Sequence, residues 1–184
     1  METIERPLYE DTDDSAPSKP IWLEHAYHHN KIDVVAIPIC IPVWGEVTTI
    51  DEVNTARMRL RVATDVFILG YPKGISGGEF PIWKRASIAT EPYIQLDALP
   101  KMLVDTATRE GMSGAPVIAV ARRGVLEPEA GLAGNWDPGC RFVGVYSGRL
   151  GHGELEAQLG IVWKAQAVDE IVQGQTKGKS SFSL

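Results

Sequence analysis

The sequence predicts an all-β domain closed by one short helix. Two observations carry this. Apolar runs of three to nine residues, most of them rich in Val and Ile, recur between Gly, Pro and polar clusters. Only one stretch shows helical spacing: Val168, Ile171 and Val172 stand at i, i+3 and i+4, with Gly174 placed as a stop. The runs are Asp33–Ile41, Met58–Arg61, Val66–Leu69, Trp83–Ala89, Met102–Val104, Pro116–Val120, Arg141–Tyr146 and Gly160–Trp163. Their lengths and spacing fit a sandwich or a barrel. Residues 1–19 are polar and acidic and read as a loose lead-in. Arg122–Gly139 holds two prolines and four glycines and reads as a long inter-strand loop. Residues 174–184 are small and polar and read as a flexible tail.

Composition excludes several classes of function. The 184 residues are 44% hydrophobic and 23% charged, as in soluble globular domains. The net charge is −6 and no basic stripe is present, which argues against a nucleic-acid partner. No apolar run reaches the ~18 residues of a membrane span, and the acidic Met1–Glu5 start has no apolar leader region. These features predict a cytoplasmic chain with no membrane partner. Cys40 and Cys140 are too few for a disulfide framework, and Cys40, inside an apolar run, reads as a buried small hydrophobe.

Gly111-Met112-Ser113-Gly114-Ala115-Pro116-Val117 carries the most specific chemistry. A serine hydroxyl is a weak nucleophile. It needs a base, a group that orients the base, and donors aimed at the developing oxyanion. Gly-x-Ser-Gly suits the last need. Gly111 permits the turn that aims its own N–H and that of Ser113 at one point, and Gly114 lets a substrate backbone approach. Gly74-Ile75-Ser76-Gly77-Gly78 has the same spacing but no apolar strand directly after it, and reads as a surface turn.

Several segments, taken in order, resemble the trypsin-like serine peptidases, especially bacterial members of the chymotrypsin clan. Asp33–Pro38 is similar to the strand bearing the family's triad aspartate, and Phe67–Pro72 to the strand opening its second barrel. Asp105–Val117 resembles the approach to the nucleophile, Phe142–Gly148 the strand lining the primary specificity pocket, and residues 165–173 the closing helix. The resemblance spans residues 20–173 and implies a two-barrel fold with an incomplete first barrel, to about residue 62, and a second barrel over about residues 63–164. It implies catalytic Ser113 and Asp33, 80 positions apart in the family's order, and an oxyanion hole of Gly111 and Ser113. It implies substrate contacts at Ala107, Thr108, Tyr146, Ser147 and Gly148, a peptide or protein substrate, and no cofactor. Ala107 at the pocket base suits an apolar or small side chain. Tyr146 also reads as a core aromatic, which a strand aromatic more often is. Met112 stands where cleavage-activated members have an aspartate, so that route of activation is not expected.

The base is missing from this pattern. His25, His28 and His29 lie only eight, five and four positions before Asp33, a short link for a triad assembled from separate parts of a barrel, and read as surface-loop residues. Glu24 with the same histidines is a weak metal pattern that lacks a further ligand group, so no metal site is expected. An α/β-hydrolase reading over Ser113, Asp137 and His152 has the right order. It fails on Ala115, where the motif needs glycine, and on the absent β/α alternation. Two explanations for the missing base remain: a peptidase lacking its opening segment, or a pseudo-peptidase that binds without cleaving.

Overall fold

The computed structural model describes residues 6–10, 19–41, 47–56, 58–78, 80–121, 139–150 and 158–179. In chain order its elements are β1 (Leu23–Glu24), α1 (Ile50–Val53), β2 (Asp65–Gly70), β3 (Ile82–Ile88), β4 (Lys101–Asp105), β5 (Pro116–Ala121), β6 (Gly139–Arg149), β7 (Leu159–Lys164), α2 (Ala165–Gly174) and β8 (Thr176–Lys177). The chain divides into two units, residues 1–47 with 168–184, and residues 48–167.

The larger unit is a closed antiparallel barrel in the order β2-β3-β4-β7-β6-β5. Period-2 alternation builds it. Val66, Ile68 and Gly70 of β2 are buried while Asp65, Phe67 and Leu69 are not, and Met102 and Val104 of β4 point to the same core. β2 pairs with β3 along its whole length, from Asp65↔Ser87 to Gly70↔Ile82. The ring closes where β2 meets β5 at Val66↔Ala119, Phe67↔Ile118 and Ile68↔Val117. Closure removes the exposed strand edges an open sheet would present. β6 is irregular at two places: its pairing with β5 shifts between Val117 and Ile118, and its pairing with β7 shifts between Tyr146 and Gly148.

The predicted runs at 66–69, 83–89, 102–104, 116–120, 141–146 and 160–163 all fall on barrel strands. Two others do not form strands. Met58–Arg61 forms no strand but supplies Met58 and Leu60 to the barrel core. Asp33–Ile41 forms no strand, and its one bridge among the described residues is Leu23↔Ala36. Val35, Ile37, Ile39 and Ile41 are 48, 41, 59 and 50% exposed. Cys40 is exposed rather than buried, and both cysteines are free.

The smaller unit is held by side-chain packing around a minimal sheet. β1 pairs with β8 at Leu23↔Lys177 and Glu24↔Thr176. Residues 175–179 therefore include an ordered strand where the sequence suggests a tail. Buried Trp22 meets the Tyr9 ring edge-on at 5.3 Å, and its Nε1 donates to Glu24 Oε1 at 2.9 Å. The apolar stripe of α2 is Ala167 and Ile171, both fully buried, whereas Val172 is 48% exposed. Gln175, at φ +47°, rather than Gly174, takes the left-handed turn after the helix. Of the predicted loop Arg122–Gly139, Gly139 opens β6 and the rest lies outside the described residues, as do His152, most of the lead-in and residues 180–184.

Truncating Ile68 to Ala should cost about 2–5 kcal/mol of unfolding free energy, because its site is fully buried inside the closed ring. Ile39→Ala, at a 59%-exposed position, should fall within about 0.5 kcal/mol of the parent. Urea unfolding of the two variants checks the contrast.

Candidate active site

The segment joining β4 to β5 is fixed from three sides. Lys73 N–H donates to Glu110 O at 2.7 Å, tying the segment to the turn after β2. Met112 is buried in the barrel core, its sulfur against Gly70. Gly114 N–H donates to Tyr146 O at 2.8 Å, and Tyr146 N–H to Ala115 O at 2.9 Å, tying the segment to β6. Between these anchors Ala115 N–H closes a tight turn on Met112 O at 3.1 Å. The sequence demands glycine at 111 for two reasons: φ is +88°, and a Cβ there would lie 2.6 Å from Tyr71 O. The methionine that the resemblance marks for its missing charge thus has a packing role. It pins the loop inward and leaves Gly111, Ser113 and Gly114 exposed.

Ser113 Oγ donates to Ser147 O at 3.1 Å. Ser147 sits at the β6 irregularity, and its own Oγ accepts from Trp163 Nε1 at 3.1 Å. Gly148 lies alongside: a Cβ on it would be 4.0 Å from Ser113 Oγ. Neither the Gly111 nor the Ser113 N–H donates to an acceptor among the described residues. The site therefore offers a hydroxyl and two uncommitted backbone donors within three consecutive residues. An exposed hydroxyl on a carbonyl is not activated, since a carbonyl oxygen takes no proton from it.

The predicted substrate contacts separate into two groups. Ala107 is exposed, and Ser147 and Gly148 are half-buried at the loop. Thr108 and Tyr146 are buried and their hydroxyls are bonded to each other. The Tyr146 ring fits because residue 160 is glycine; a Cβ there would stand 2.5 Å from Cε2. Burial raises the Tyr146 phenol above its ordinary value, outweighing the lowering by Thr108 and Arg149. The decoy turn behaves as a surface turn: Gly74 and Gly78 have φ of +73° and +74°, and Ser76 Oγ donates to Gly78 O at 2.6 Å.

Asp33 and the histidines other than His152 belong to the smaller unit, and Ser113 to the larger. Asp33 is exposed and makes no hydrogen bond among the described residues; partial burial raises its carboxyl above the usual value. His25 is not a surface residue but only 3% exposed. Its Nδ1 accepts from the backbone N–H groups of Tyr27 and His28 at 3.2 Å each, so that nitrogen carries no proton. Its Nε2 donates to Glu170 Oε2 at 2.8 Å. Both ring nitrogens are thus committed within the smaller unit. His28 and His29 are half-buried, and His29 Nδ1 is buried without a partner among the described residues. No cluster of three or more metal-ligating side chains occurs among the described residues. No helix among them is long and apolar enough to cross a membrane. No known protein family, curated protein or solved structure matches the chain.

Sequence reasoning did not find the roles of Met112, Gly160 and Glu170. The buried state of Met112 had a signal, since it is the one apolar residue in a Gly/Ser turn. Glu170 had none, being 145 positions from His25.

Gly111→Ala should destabilise the chain by about 2 kcal/mol or more, combining a left-handed alanine with the Tyr71 collision. Gly114→Ala, at φ +84° in open space, should cost only about 1 kcal/mol. Thermal denaturation of the pair reads the difference. The raised Asp33 carboxyl binds its proton more readily in the native state than in the unfolded chain. Its contribution to stability is present at low pH and lost as pH rises through its folded pKa. Asp33→Asn should therefore match the parent in acid and gain stability relative to it above the carboxylate range. A loss of stability at neutral pH would show that the carboxylate is paired.

Proposed function

We propose that the chain is a trypsin-like serine peptidase domain for peptide or protein substrates, with Ser113 as nucleophile and a base that the described residues do not supply. The observation that carries this reading is the exposed Ser113 hydroxyl flanked by the uncommitted N–H groups of Gly111 and Ser113. The order of segments supports it. The stretch likened to the opening strand of the second barrel is β2, the nucleophile stretch joins β4 to β5, the specificity stretch is β6, and α2 follows directly on β7. On this reading residues 20–62 are the remnant of a first barrel.

Ser113 Oγ would attack the scissile carbonyl, and the two N–H groups would take up the charge that develops on its oxygen. Asp33 would orient the base, a role open to a carboxylate with no partner among the described residues. His25 is unsuited to be that base, because accepting the hydroxyl proton needs a lone pair that its ring has already committed. Hydrolysis by this chain is accordingly weak or absent. A second reading, a peptide-binding scaffold on a peptidase fold, draws on the same His25 geometry. Strand addition beside Ser147 and Gly148 would then be its whole activity.

Peptide p-nitroanilide turnover should fall about 10⁶-fold below an ordinary peptidase, in line with a triad lacking its base. Added imidazole should raise it in the parent but not in Ser113→Ala, and a fluorophosphonate should then attach at Ser113. Turnover dependent on Ser113 without imidazole would show that the chain holds its own base. Failure of imidazole and of labelling alike would favour the scaffold.

A further inference from the structure

A cavity of about 270 Å³ lies among β4, β6, β7 and the first turn of α2, away from the Ser113 loop. Its floor is apolar, from Leu60, Met102 and Val143. Phe142 and Tyr93 add aromatic walls, and Arg141 and Lys164 add two cations. No aspartate or glutamate is among the lining residues, although the chain as a whole carries a net −6. The β6 residues concerned, Arg141–Val143, precede the Tyr146–Gly148 stretch of the candidate active site.

Lys164 is the informative group. It is half-buried, and its Nζ donates to Ile94 O at 2.5 Å. It makes no ion pair among the described residues. A cation removed from water toward a neutral carbonyl lacks the compensating charge that such a position calls for. Burial lowers its pKa accordingly. The Arg141 guanidinium, held on Met58 O, adds positive charge to the same wall. Ala165 and Gln166 open the ten-residue α2, so the positive end of the helix dipole faces the same hollow.

We propose that this cavity binds a small organic carboxylate, with the anion at Lys164 and an apolar or aromatic body over Leu60, Met102 and Phe142. The volume, at the low edge of ligand pockets, suits a molecule of about ten non-hydrogen atoms. The apolar floor favours a monoanion with a hydrocarbon body over inorganic phosphate, which would leave that floor uncovered and lose its own hydration. The proposal does not depend on the reading of Ser113.

The test is a titration of the full chain with 3-phenylpropanoate and with its neutral counterpart 3-phenylpropanamide, followed by ¹H–¹⁵N NMR. The acid should bind at least about tenfold more tightly than the amide, with shifts centred on Phe142, Val143 and Gln166. Lys164→Met, which keeps the apolar stem and removes the charge, should abolish that preference. Lys164→Gln serves the same purpose should the methionine variant fail to fold. The proposal is overturned by equal affinity for acid and amide, by no binding of the acid, by shifts centred elsewhere, or by a preference that survives loss of the Lys164 charge. Displacement of the acid by equimolar inorganic phosphate would also overturn it, by marking the hollow as a site for hydrated oxyanions.

Discussion

Closure of the barrel through β2 and β5 is the constraint on which the site depends. The closing ladder is only three residue pairs long, Val66 to Ile68 against Val117 to Ala119. Yet β5 begins immediately after the Ser113 turn, so any slip in that ladder would carry the serine with it. Register is held because Val66, Ile68, Val117 and Ala119 all face the core; a one-residue slip would turn them outward. The Ser113 loop then inherits its position from the barrel through Met112, Gly114 N–H and Glu110 O. It is shaped before any ligand arrives, which is the condition under which backbone donors stabilise a developing charge at no reorganisation cost.

On the proposed peptidase reading, the described residues supply no base for Ser113. A nucleophilic serine needs a neutral imidazole with a free nitrogen. His25, the buried histidine among the described residues, is instead built into the smaller unit, receiving two backbone N–H bonds and giving one to Glu170. The barrel presents the Ser113 hydroxyl and two uncommitted backbone N–H groups. Tyr146 and Thr108 are spent on each other in the core, leaving Ala107, Ser147 and Gly148 as the accessible rim.

Much of this was legible in the sequence. Six of the eight apolar runs are barrel strands, because alternation and Val/Ile content report a half-buried pleat directly. Asp33–Ile41 has the same composition yet pairs, among the described residues, only through the Leu23↔Ala36 bridge, and composition cannot distinguish a paired strand from an unpaired segment. Thr49-x-x-Glu52 carries the reciprocal cap that starts α1, a signal present in the residues and overlooked beside the larger β pattern. β8 had no signal at all: Thr176–Lys177 pairs by its backbone, and nothing in two polar residues announces that. Of the site, the exposed serine turn was readable from Gly-Met-Ser-Gly. The commitment of His25 was not, since it is made by a carboxylate 145 positions away.

The central claim is that the Ser113 loop is a preformed oxyanion-binding turn. Titration with a peptide boronic acid, followed through the amide resonances of Gly111 and Ser113, tests it most directly. The account predicts that these two N–H groups shift together and first, and that the response is lost in Ser113→Ala. Shifts confined to other parts of the barrel, or an unchanged response in Ser113→Ala, would contradict it.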